Sequence, residues 1–233
     1  MRVLDVGTGV GDVAFLAAEL VGPSGHVVGA DRAPYAVAQA AERGKAESVT
    51  NVSFVEGDPS EMPFDRPFDA VVGRYVLMYQ RDPAATLRAL AARLKIGGLI
   101  VFHELDWGGA RSSPPAPTYD QCCRWVIDAL RCGGADPYMG TKLYSAFVQA
   151  GLPPPVMHLE APIGGPADPS GRVTDLLQTI FPRSLVATLE QFDVAKASEI
   201  DADNLPGRMY EEVTKLRSVI VGRSEVGAWS RKS

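Results

Sequence analysis

Short apolar runs separated by helical stripes make up the first hundred or so residues. Arg2–Val6, His26–Ala30, Val52–Val55, Ala70–Val72 and Leu99–Leu105 are bounded by Gly, Pro or Asp and read as strands. They are almost continuously apolar rather than alternating, which is the pattern of strands buried on both faces of a parallel sheet. Between them the apolar spacing lengthens to that of a helix. Val13–Val21 follows the first strand at once, and Tyr35 to about Glu47 begins after Pro34. The stretch after Pro83 puts Leu87, Leu90, Ala91 and Leu94 on one stripe, with Asp82 as its N-cap and Gly97–Gly98 as its stop. Alternating strands and helices joined by right-handed crossovers predict an open, doubly wound, Rossmann-like α/β sheet that is mostly parallel.

The rhythm breaks after Trp107. "GGARSSPPAPTYD" reads as a loop, helical patterns follow at Asp120–Arg131 and Thr141–Ala150, and Val156–Glu160 is a further strand candidate. A second loop, "APIGGPADPSG", leads into a helical stretch from about Val173 to Ala197. The tail "EVGAWSRK" predicts a last, antiparallel edge strand. Residues 1–233 thus read as a single domain, with segments 108–152 and 163–215 as a helical cap insertion over the sheet.

Composition narrows the class. The 233 residues are 46% hydrophobic and 22% charged, with a net charge of −5, and a chain of this size buries a full core without disulfides or metal. An acidic balance with scattered basic residues argues against a nucleic-acid partner. No unbroken apolar run reaches membrane-spanning length. Three cysteines, Cys122, Cys123 and Cys132, with no C-x-x-C, point to a reduced, cytoplasmic setting.

The chemistry begins at "MRVLDVGTGVGDVAF". Gly7, Gly9 and Gly11 stand at alternate positions between the first strand and the first helix. Glycines there allow a sharp turn and close approach of a ligand, and the helix amides face that ligand. The spacing is G-x-G-x-G, with Asp12 where a dinucleotide fingerprint needs its third glycine. Asp5 and Asp12 beside a helix N-terminus suit a ligand carrying an ammonium and a sulfonium better than a pyrophosphate. No Gly-Lys-Ser/Thr follows, which excludes a phosphate-binding loop of that kind. Asp31 lies at the end of the second strand, where an acid accepts two vicinal hydroxyls, or alternatively caps the helix before Pro34.

With these residues in place, the chain resembles the class I S-adenosylmethionine-dependent methyltransferases. "LDVGTGVG", carrying Asp5, Gly7, Thr8 and Gly9, resembles their first motif, and "VVGADRAP", carrying Asp31 and Arg32, resembles the second. "FVEGDPSEMPF" resembles the third, while "FDAVVGRYVLMYQRDP", with Arg74, and "LKIGGLIVFHEL" match the fourth and fifth. The likeness covers residues 2 to about 107 in order and spacing, and is nearest to the small-molecule branch of the ubiquinone/menaquinone-biosynthesis type. It implies S-adenosylmethionine as cofactor. Asp31 would hold the ribose hydroxyls, Asp58 the adenine amino group, Pro59 and Ser60 would flank the ring, and Arg32 and Arg74 would lie near the donor.

Methyl transfer from a sulfonium to a small-molecule acceptor, at O, C or N, needs alignment and, for a hydroxyl, a base, but no metal. "HELDW" at the end of the fifth strand supplies candidates: His103, Glu104 and Asp106. His103 is alternatively a hydrogen-bonded core histidine, and Glu104 or Asp106 could hold polar groups of donor or substrate. Trp107, Tyr75 and Tyr79 suit an aromatic pocket or a core equally. "GRYV" replaces the [D/N]-P-P-[Y/F] of enzymes that methylate amino groups in DNA. Two other readings predict different behaviour: a catalytically silent S-adenosylmethionine-binding module, and an NAD-type oxidoreductase, which Asp12 disfavours. The glycine loop begins six residues after Met1, leaving no room for preceding helices. The expectation is a homodimer whose neighbour covers the cleft, or a chain without its lid.

Overall fold

The structure, a computed structural model, describes residues 1–233. Its central strand is β1 (Arg2–Val6), which runs parallel to β2 (His26–Asp31) on one side and to β4 (Phe68–Arg74) on the other. β2 pairs in parallel with β3 (Val52–Glu56), and β4 with β5 (Leu94–Asp106). Adding β7 (Val156–Glu160) and β10 (Ser224–Arg231), the seven-stranded order is β3-β2-β1-β4-β5-β10-β7. The tail strand is therefore flanked on both sides, and β7 is outermost.

Parallel pairing brings the carboxyl ends of β1 to β5 to one edge, and this positions the site. α1 (Asp12–Val21) lies on the sheet because Ala14 and Ala18 are small enough to seat against Val3, Val27 and Ala70. Phe15 meets Phe54 edge to face, with ring centres 5.5 Å apart. α2 (Pro34–Ala46) and α3 (Pro83–Ala91) start with proline in the first turn, and Asp82 caps α3 by accepting from the Ala85 amide at 2.8 Å. α3 ends before Gly97–Gly98, which lie inside β5 instead. There the register slips between the Phe68–Leu94 and Ala70–Leu99 pairs, and Gly97 turns with φ +75°.

The chain divides into two compact units, Met1–Glu104 with Gly140–His158 and Val226–Ser233, and Leu105–Met139 with Leu159–Glu225. The first holds α5 (Met139–Gln149) almost entirely, a segment that the sequence reading assigns to the cap. In the second, α4 (Pro117–Cys132) buries Tyr119, Cys122, Cys123 and Trp125, and burial pushes both thiols up, Cys123 to about 11. They are inert core residues. The expected helix over 173–197 is broken into α6 (Arg172–Thr179), α7 (Leu185–Gln191) and α8 (Ala197–Ile200), the first break falling at Pro182. α9 (Leu205–Leu216) buries Leu205, Met209 and Val213. A small sheet of β6 (Arg111–Ser113), β9 (Val219–Val221) and β8 (Ile163–Gly164) completes this unit. No helix is long and apolar enough to cross a membrane.

Candidate functional site

The loop between β1 and α1 is a succession of left-handed turns, with φ of +64° at Gly7, +54° at Gly9 and +93° at Gly11. Gly7 is required twice over: its backbone is left-handed, and a Cβ would stand 2.7 Å from Val76 Cγ2. The loop orients the acid at the next strand end. Gly9 N donates to Asp31 Oδ2 and Ala33 N to Oδ1, both at 2.9 Å, which leaves each oxygen a free lone pair. Asp31 thus supports the turn into α2 and can still accept two hydroxyls.

The two other carboxylates of this region are engaged differently from the sequence expectation. Asp5 is 1% exposed and accepts from Thr8 Oγ1 at 2.6 Å. Burial pushes its carboxyl up to about 7, while the Thr8 hydrogen bond and the Arg74 charge pull the other way. Asp12 lies 2.5 Å from Arg43 Nη1 and 3.8 Å from Arg74 Nη2. Its charge answers two arginines and is not held for a cationic ligand; Arg74 also lies over the Tyr75 ring at 5.6 Å.

At the end of β3, Asp58 Oδ1 accepts from Ser60 N at 2.8 Å and Ser60 Oγ at 2.7 Å, and Oδ2 pairs with Arg32. Burial opposes ionisation, yet the Arg32 pair and the Ser60 bonds hold this carboxyl below its ordinary range. A cavity of about 290 Å³ runs past these groups, walled by Gly7, Asp31, Arg32, Asp58 and Pro59, with Tyr75 and Tyr79 further along. Gly9 serves the cavity through Asp31, whereas Thr8 and Asp5 bond to each other outside its walls.

The end of β5 governs the loop after β4. Tyr75 is left-handed at φ +56°, and its amide donates to the His103 carbonyl at 2.9 Å. The His103 ring lies 5.8 Å from the Tyr75 ring. Glu104, fully buried, accepts from the amides of Val76, Leu77 and Met78 at 2.9, 2.7 and 3.3 Å. The sequence reading sets Glu104 beside His103 as a group acting on the acceptor. The structure corrects this: both oxygens hold the start of the short 3₁₀ turn Leu77–Tyr79, so Glu104 is a positioning residue. Asp106, also buried, accepts from the Gly108 amide at 2.8 Å in the second unit.

Sequence reasoning overlooks Gly29 and the bonds from Ser60 to Asp58. A Cβ on Gly29 would stand 2.7 Å from both the Phe54 ring and Thr8 Oγ1, and Ser60 fixes Asp58. Gly29 stands inside "VVGADRAP", but nothing local marks it as obligatory, because the close approach comes from β3 and the glycine loop; Ser60, two residues after an acid, is a legible Asx-turn partner.

The chain is similar to known proteins over much of its length. A profile described as a methyltransferase domain matches residues 1–150. The protein-L-isoaspartate O-methyltransferase of Ignicoccus hospitalis is 41% identical over 102 residues, 43% of this chain and 46% of that protein. The 2-phytyl-1,4-naphtoquinone methyltransferase of Synechococcus elongatus is 33% identical over 155 residues, 64% of this chain and 65% of that protein. The chain thus spans between about half and two thirds of these curated relatives. The structure of the YcgJ protein from Bacillus subtilis matches all of this chain and 92% of its own, with TM-score 0.57 and 17% identity, which shows the shared fold. With a matching profile over most of its length, a mostly parallel Rossmann-like sheet and a glycine loop bonded to the acid at the end of β2, the chain belongs to the methyltransferase domain family of class I fold.

Proposed function

We propose that the chain binds S-adenosylmethionine in the cavity above β1, β2 and β3 and transfers its methyl group to a small-molecule acceptor. The carrying observation is Asp31, held by the Gly9 and Ala33 amides with a lone pair free on each oxygen at the cavity wall. The donor set fits the cofactor: bare glycines at the approach, an acid for two ribose hydroxyls, a second acid for an amino group, and no basic cradle for a pyrophosphate. When bound, S-adenosylmethionine supplies an already activated methyl on a sulfonium.

The residues of the chain align and desolvate. Glu104 holds Val76 against Gly7, which sets the floor of the cleft. Tyr75, kept left-handed by the His103 carbonyl, presents its ring beside the His103 imidazole, and His103 is the group proposed to take a proton from a hydroxyl acceptor. The segments 108–152 and 163–215 are proposed to shape the acceptor site. A quinone-methylating relative supports a flat, small acceptor, as does the aromatic Tyr75–Tyr79 wall. Exposed Leu16 and Leu20 on α1, at 57% and 79%, support a homodimer, free Cys122 and Cys123 support a cytoplasmic setting, and the net charge of −5 supports a partner other than nucleic acid. A monomer by sedimentation equilibrium would remove the dimer.

Calorimetric titration with S-adenosylhomocysteine tests the reading. Asp31→Ala should weaken binding by about a hundredfold, since two hydrogen bonds to a charged acceptor are lost. Unchanged affinity in that variant would sink the assignment.

A further inference from the structure

Asp58 and Arg32 meet at one end of the cavity with an unusual division of hydrogen-bonding capacity. A carboxylate offers about four lone-pair positions. Both positions on Asp58 Oδ1 are taken by Ser60 N and Oγ, and one on Oδ2 is taken by Arg32. The position left is on Oδ2, next to the guanidinium. Pro59, the following residue of the wall, has no N–H, and the Ser60 amide already serves Asp58. The donor beside the remaining acceptor is therefore Arg32. Its side chain is 67% exposed, and a guanidinium carries five N–H donors, so most stay open to a ligand.

An acceptor with a donor at its side is the complement of the amino edge of adenine. The 6-amino group donates there, and the ring nitrogen beside it, N7 on one flank and N1 on the other, accepts. A 6-oxopurine presents an acceptor in place of the amino group and sets it against Asp58. We propose that Arg32 completes the readout of adenine, donating to the ring nitrogen adjacent to the 6-amino group that the donor-site reading gives to Asp58. This rests on the donor-site reading above and makes Arg32 a specificity-determining residue of that site.

The test is a calorimetric titration of the full chain, as wild type and as Arg32→Ala, with adenosine, 1-deazaadenosine, 7-deazaadenosine and inosine. In the wild type, one deaza nucleoside should bind about tenfold more weakly than adenosine, the size of one lost hydrogen bond to a charged donor. Which of the two is weakened identifies the ring nitrogen, and inosine should bind weakest. In Arg32→Ala the deaza nucleosides and adenosine should become equal, while the melting temperature stays near that of the wild type, because the side chain is exposed. Two deaza nucleosides that match adenosine in the wild type, or a deaza penalty that survives in Arg32→Ala, would overturn the pairwise readout and leave the donor site standing. No binding of adenosine or S-adenosylhomocysteine to the wild type would overturn the donor site and this proposal together.

Discussion

Glu104→Gln separates a positioning carboxylate from a catalytic one. The substitution keeps the shape of the side chain and removes its charge. In the native chain, three consecutive amides converge on two oxygens, Val76 and Leu77 on Oε1 and Met78 on Oε2, with the side chain fully buried. Glutamine offers one acceptor oxygen, which keeps the first two bonds but weakens them. Hydrogen bonds to a charged group contribute about 1.5–3 kcal/mol, and neutral ones about half that. The amide nitrogen of glutamine then faces the Met78 N–H, donor against donor, and a buried orphaned N–H costs about 1–3 kcal/mol. A loss of about 3–4 kcal/mol follows, a large share of the roughly 5–15 kcal/mol that holds a domain folded. Urea denaturation gives the loss of stability, and hydrogen exchange at residues 76–78 locates it. S-adenosylhomocysteine affinity should fall as well, because Val76 packs onto Gly7 and Tyr75 and Val76 wall the cavity. A destabilisation under about 1 kcal/mol with unchanged exchange at these amides would refute the reasoning. Lost turnover with stability and donor affinity intact would return Glu104 to the acceptor chemistry.

Three further outcomes follow from the same geometry. Gly7→Ala should destabilise by about 2–4 kcal/mol, combining a left-handed alanine with a Cβ driven into Val76, and should weaken S-adenosylhomocysteine binding; a wild-type denaturation midpoint would contradict it. Asp5 binds its proton more tightly folded than unfolded, since burial raises it to about 7 from 3.8. Its contribution to stability is therefore complete below about pH 4 and is lost as pH rises through about 7, an effect on the order of 4 kcal/mol. Asp5→Asn should flatten that part of the stability–pH curve, and an unchanged slope would show that another group titrates there. Asp58 works in the opposite direction: held low by Arg32 and Ser60, it contributes above the ordinary carboxylate range and loses that contribution on acidification. In Asp58→Asn, the loss of stability on acidification below about pH 4 should shrink, and an acid limb identical to the wild type would exclude this role.

Much of the site was legible because it is built from local signals. Apolar runs of strand length, prolines in the first turns of α2 and α3, and glycines between β1 and α1 are choices that the backbone makes over a few residues. The acids at the ends of β2 and β3 follow from strand placement alone, since a parallel sheet brings every carboxyl end to one edge. The second unit was less legible. A periodic helical pattern over 173–197 says nothing of where the chain turns back, and tertiary packing divides it into three helices around Pro182 and beyond. β6, β8 and β9 are two or three residues each, too short for any period to show.

What sequence alone determined is the doubly wound architecture, the glycine loop, and the identity of the acids that face it, because these rest on periodicity and on backbone conformations that only certain residues adopt. What tertiary structure alone decided is how each charge is used. Asp5, Asp12, Asp31, Asp58 and Glu104 are the same chemical group in the sequence, yet one is buried and driven toward its neutral form, one answers two arginines, and one holds a loop by three amides. Asp31 keeps free lone pairs on the cavity, and Asp58 keeps one, beside an arginine from the neighbouring strand end. Burial and hydrogen-bond partners set the energy of a carboxylate, and both are supplied by segments distant in the chain, so no local reading of an Asp or Glu contains them.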